Sequence, residues 1–140
     1  MFKKTDSEKL YTIASSFVLL LPAFFAFETG LEILGVILCV LTVVSSIYHY
    51  YKPHGHDWWW NHDRSKKQTF LLYLDTLLSL SVFVFMTWYL YVKSIDFTDV
   101  VGVLIFLGGL YLLLSPRGDY KMNHFVWHLI AATAPLLVLI

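Results

Sequence analysis

Two of the six histidines stand in His124-Phe125-Val126-Trp127-His128, where a helix would bring both imidazoles onto one face as a chelating pair. A third, His49, closes Ser45-Ser46-Ile47-Tyr48-His49, and a lone carboxylate, Asp75, sits in Leu74-Asp75-Thr76. All four ionisable residues lie within apolar stretches. Such groups are costly there and usually face a bundle interior, so each is a candidate for function. Three neutral imidazoles with an open fourth position form the ligand set of a catalytic zinc site. His49, His124 and His128 are the predicted ligands. Asp75 is left to hydrogen-bond a ligand or a water, or to move protons. Ser45 lies one turn deeper than His49 on the same helix face and could steady a water or a substrate carbonyl. Taken singly, each residue has a plainer role: packing or interhelical hydrogen bonds for the imidazoles, a structural hydrogen bond for Asp75, and a bond from Ser45 back to the Leu41 carbonyl. Their shared placement favours one site.

That placement follows from the apolar runs that carry them. A membrane-spanning helix needs about 20 mostly apolar residues. Five runs approach that length: roughly 11–27, 30–51, 69–92, 97–114 and 122–140. They are separated by Glu28-Thr29-Gly30, the polar stretch Lys52–Gln68, Lys93–Asp96 and Ser115–Asp119. The predicted fold is therefore all-α, a single polytopic transmembrane bundle of five spans. In such a bundle the second run descends to His49 while the third and fifth start near Asp75 and His124. All the candidate residues then gather at one end.

Composition agrees. Of the 140 residues 58% are hydrophobic and only 14% charged, whereas soluble proteins carry roughly 45–50% and about 25%. Ten Lys/Arg balance ten Asp/Glu, which argues against nucleic acid as a partner. Lone Cys39 excludes an intrachain disulfide and reads as a small apolar residue. The first run follows Lys3 and Lys4 but ends at Phe27-Glu28 without a small-residue cleavage site, so a span is expected rather than a signal peptide. Nine of the ten basic residues fall in the amino-terminal segment and the second and fourth connections, and only Lys93 falls on the other side. The positive-inside rule then places the amino terminus and the histidine end in the cytoplasm and the carboxyl terminus outside. Glu28, Glu32, Asp96 and Asp99 are expected to be solvated interfacial acids on the outer side. Trp58, Trp59 and Trp60 are expected to anchor the inner interface. His54, His56 and His62 share the polar stretch with Asp57 and Asp63, and read as a solvated loop, with a second metal site or substrate contacts as the other reading.

The motifs resemble those of the CREST superfamily of membrane hydrolases, which includes alkaline ceramidases, adiponectin-type receptors and hemolysin III-like proteins. Ser45-Ser46-Ile47-Tyr48-His49 is similar to its SxxxH motif, Asp75 to the aspartate of the following helix, and His124-Phe125-Val126-Trp127-His128 to its terminal HxxxH, in the same order. His124-xx-Trp127-His128 followed by Ala131-Ala132 resembles the hemolysin III-like and myomaker branches in particular. The resemblance covers about half the chain. It implies zinc on His49, His124 and His128, a site completed by Asp75 and Ser45, and hydrolysis of a lipid amide or ester. Members of that superfamily typically have seven spans. Losing two preserves the side on which the HxxxH helix starts, but thins the wall around a substrate and suggests a homodimer or a laterally open cleft.

The expected function is thus a zinc-dependent membrane hydrolase acting on a lipid near the cytoplasmic leaflet. Two other readings stand beside it: a non-catalytic membrane receptor or assembly factor with structural zinc, and a bis-histidine haem electron carrier.

Overall fold

A computed structural model of the chain describes Leu10, Tyr11 and residues 13–51, 65–114 and 120–140. Among them every regular element is helical: α1 (Leu20–Glu28, entered through a 3₁₀ turn at Phe17–Leu19), α2 (Glu32–Tyr51), α3 (Lys66–Val92), α4 (Phe97–Leu114) and α5 (Tyr120–Leu139). The last four coincide with apolar runs to within a few residues, whereas α1 begins nine residues into the first run, whose residues 13–16 are helical ahead of the 3₁₀ turn. The connection with His54, His56, His62 and Trp58–Trp60 lies outside the described residues, as do most of the basic side chains behind the expected orientation.

Local chemistry explains the boundaries. Proline lacks an N–H and its ring crowds the carbonyl four residues back, which for Pro22 is Val18, in the middle of the 3₁₀ turn. α1 ends where Gly30 takes φ of 75°; the Leu31 N–H reaches Ala26 O at 2.7 Å and the Gly30 N–H reaches Phe27 O at 3.2 Å. This glycine-terminated closure turns the chain directly into α2. α3 begins with a capping box: Ser65 Oγ accepts from the Gln68 N–H, and the Ser65 N–H donates to Gln68 Oε1 at 2.8 Å.

Around the bundle, α4 lies on α5, α5 on α1, α1 on α2 and α2 on α3, while α3 only edges onto α5. The α4–α5 contact is the most extensive, and it depends on small residues. A Cβ at Gly109 would overlap Ile130, and one at Gly102 would come within 3.0 Å of the Ala134 carbonyl. Phe83 of α3 stacks on Phe106 of α4 at 5.6 Å, and Phe106 meets Trp127 of α5 at the same distance.

The main core joins Leu19, Ala23, Leu34, Leu38, Val82 and Val138, among others, toward the end of the bundle away from the histidines. A second, small cluster of Tyr48, Leu71 and Leu72 sits beside His49. Outward faces are also apolar: Ile33, Tyr91, Phe97 and Tyr111 are each more than two-thirds exposed. α2 and α3 are long and apolar enough to cross a membrane, and Ile13–Glu28, Phe97–Leu112 and His124–Leu139 are shorter apolar helices.

The acids between α3 and α4 require a correction. Glu28, Glu32 and Asp96 are exposed as expected, but Asp99 is fully buried, at 0%. Its Oδ1 lies 2.8 Å from Lys93 Nζ, and its Oδ2 accepts from the Asp96 N–H at 2.9 Å. Lys93 Nζ also donates to the Val138 carbonyl at 2.8 Å, tying the end of α5 to the start of α4. A buried carboxylate is tolerated when paired and hydrogen-bonded in this way. Asp96 completes the cap by accepting from the Thr98 hydroxyl at 2.7 Å and the Asp99 N–H at 3.0 Å. Those two bonds, with Lys93 nearby, hold its carboxyl below the ordinary value of 3.8.

Candidate metal centre

His49 is carried two residues before the end of α2, and His124 and His128 in the first half of α5. Since α2 and α5 both lean on α1 rather than on each other, only the length of the imidazoles lets them meet. His49 is 3% exposed and His128 6%, while half-buried His124 is the member nearest solvent. The rings pack edge-on or tilted at centroid distances of 4.7, 5.2 and 4.8 Å.

The three Nε2 atoms form a triangle. His49 to His124 is 3.0 Å, His124 to His128 is 3.0 Å, and His49 to His128 is 3.3 Å. Each distance alone fits a hydrogen bond, but the three together do not. An imidazole Nε2 has one in-plane position, holding either a proton or a lone pair. Three nitrogens with two states must include two alike, so at least one edge sets lone pair against lone pair or N–H against N–H. A cation accepting three lone pairs removes that conflict. Bonds of about 2.0–2.1 Å to a tetrahedral zinc put neighbouring nitrogens about 3.3–3.4 Å apart, within a few tenths of an ångström of the edges observed. The donor set therefore fits a metal ion, and among the described residues this is the group of three ligand atoms able to hold one.

Register locates the other two predicted residues. Gln68 of α3 bonds the Tyr51 carbonyl, and Tyr48 packs with Leu71 and Leu72. The two helices being antiparallel, Asp75 falls level with Ser45, four residues or about 6 Å deeper than His49 at 1.5 Å per residue. Asp75 is half-buried, with Oδ1 shielded from solvent. Ser45 is buried, and its hydroxyl accepts from Ser16, just before the 3₁₀ turn into α1, at 3.4 Å, a long and weak bond, instead of folding back on Leu41. Most other helical hydroxyls do fold back, as Thr42 does onto Leu38 and Ser46 onto Thr42. The structure thus brings the three histidines together and sets Ser45, beside Ser16, about one turn beneath them.

Sequence reasoning passed over Ser15 and Ser16, buried at 2% and 0%. A pair of hydroxyls inside an apolar run was the signal. It also passed over Gln68, although Ser65-x-x-Gln68 before an apolar run is the pattern of a capping box. No known protein-family model, curated protein or solved structure matches the chain.

Proposed function

We propose that the protein is a zinc-dependent integral membrane hydrolase that cleaves an amide or ester bond of a lipid. The Nε2 triangle carries this reading, because three convergent lone pairs call for a cation. Zinc suits an all-imidazole set of three with a fourth position for water or substrate. A haem between two histidines would hold their nitrogens on opposite sides of the iron, about 4 Å apart at bonds of about 2 Å each. That spacing disagrees with edges of 3.0–3.3 Å. The motif order shared with the CREST superfamily supports the same chemistry.

Five apolar helices with apolar outward faces support a five-span, multi-pass arrangement. The basic residues of the amino-terminal segment and the connections support a site near the cytoplasmic leaflet. A headgroup-proximal bond would then lie near the imidazoles, with acyl chains among the helices.

When bound, zinc polarises a carbonyl and lowers the pKa of a water to about 7. His49 and His128 hold their lone pairs inward from buried positions, and His124 does so from the side nearer solvent. Asp75, about one turn deeper, acts through a water: it takes the proton as the water oxygen joins the carbonyl carbon, and returns it to the departing nitrogen or oxygen as the C–N or C–O bond breaks. The products are a fatty acid and an amine or alcohol. Ser45 steadies the developing negative charge or the water that carries it.

The test incubates detergent-purified protein with ceramides, lysophospholipids and phospholipids, and measures fatty acid release by mass spectrometry beside Asp75→Ala and His128→Ala. Release by the wild type alone is expected. Equal release from all three proteins, or none from any lipid class despite bound zinc, overturns the hydrolase and favours the receptor or assembly factor with structural zinc.

A further inference from the structure

His49 has to be aimed at two imidazoles on a helix that its own helix scarcely touches, so the last turn of α2 must be held by something else. The first turns of α3 hold it at three points. Tyr48, 4% exposed and at 5.2 Å from the His49 ring, packs with Leu71 and Leu72. Lys67 Nζ sits 3.6 Å from the centre of the Tyr51 ring. Gln68 Nε2 donates to the Tyr51 carbonyl at 2.7 Å.

Gln68 is bonded at its backbone N–H, its Oε1 and its Nε2. Its backbone N–H goes to Ser65 Oγ and its Oε1 accepts the Ser65 N–H. Its amide orientation is thereby set, which leaves Nε2 to meet one of the last carbonyls of α2, a group that has no partner within its own helix. The cap of one helix is in this way the clamp on the end of the next, two residues from a ligand.

We propose that Gln68 is a positioning residue for the metal centre: by bridging the Ser65 cap to the Tyr51 carbonyl, it fixes the last turn of α2 and with it the aim of His49. This rests on the three-histidine reading of the site. Partners that orient metal ligands typically alter affinity by 10–100-fold when removed. Gln68 acts through the backbone rather than on the imidazole, so about tenfold is expected.

The experiment measures zinc affinity of the full chain in detergent by competition with a chelator, alongside thermal unfolding of the metal-free protein. Gln68→Ala removes cap and clamp. Gln68→Glu keeps an acceptor for the Ser65 N–H but loses the donor to Tyr51. Gln68→Arg keeps a donor and loses the acceptor, and Ser65→Ala weakens the cap while leaving the clamp. Affinity should fall about tenfold in Gln68→Ala and Gln68→Glu and stay within about threefold in Gln68→Arg and Ser65→Ala. Gln68→Glu should unfold at the wild-type temperature, which separates aim from stability. Zinc binding by Gln68→Glu within twofold of a zinc-binding wild type overturns the clamp alone. A wild type that takes up no zinc overturns the metal site and the clamp together.

Discussion

The two ends of the bundle use buried polar groups in opposite ways. At the α3–α4 end, Lys93 meets Asp99 and the Val138 carbonyl, and Asp96 and Asp99 cap each other, so donors face acceptors and opposite charges meet. At the other end three chemically identical nitrogens converge, and no assignment of protons makes every edge favourable. The first end is complete in itself, as a polar group that serves the fold must be. The second keeps one unfavourable edge that a cation among the three nitrogens would relieve. The distribution of core agrees: the larger apolar cluster lies toward the self-satisfied end, while Tyr48, Leu71 and Leu72 support the histidines.

This comparison can be broken at either end. The largest effect on stability is expected from Asp99→Ala, which leaves the partly buried Lys93 without its carboxylate. Breaking a buried pair costs about 3–5 kcal/mol, and because Lys93 is 21% exposed the loss should lie near 3 kcal/mol. Chemical denaturation in detergent measures it, and zinc content should not change. Loss of zinc in this variant would mean that the two ends are not independent.

A smaller loss is expected from Gly109→Ala. The added Cβ meets Ile130, a β-branched side chain with little rotamer freedom, so overpacking of about 1–3 kcal/mol outweighs the helix propensity gained. Combining it with Ile130→Ala should recover part of the loss, and strict additivity in the double variant would contradict the contact.

Asp75→Ala sharpens the site end. With the carboxylate a turn away from the imidazoles, zinc affinity should fall about 10–100-fold, less than on loss of a ligand, while lipid hydrolysis is abolished. Zinc loss as complete as in His128→Ala would make Asp75 a direct ligand.

The smallest effect concerns Asp96. Its folded pKa lies below the unfolded 3.8, so its contribution is present above that value and fades as pH falls through the lower folded one. Asp96→Asn should flatten the acid limb of the unfolding temperature below about pH 4, and an unchanged limb would show that the exposed cap adds nothing measurable.

Much of this arrangement was legible in the residues. Long apolar runs have few structural options, so α2 and α3 were readable within a few positions, and chain direction alone put His49 at the end where His124 and His128 begin. Asp99 was misread because its partner Lys93, six residues earlier, is held over it by the Val138 carbonyl at the far end of α5, a contact that only packing creates. Ser16 was missed for the same reason: its pairing with Ser45 exists only where the segment entering α1 packs on α2. The capping role of Gln68 was readable in Ser65-x-x-Gln68, but its bond to Tyr51 was not, because it crosses a connection between helices.

The most direct measurement is the metal content of the purified wild-type protein beside His49→Ala, His124→Ala and His128→Ala, with Asp99→Asn as a control at the opposite end. About one zinc per chain is expected in the wild type and the control, and essentially none in the three histidine variants, because each supplies one of only three protein ligands. A wild type that purifies without zinc and takes up none, that carries haem instead, or that retains its zinc in all three variants would contradict the account.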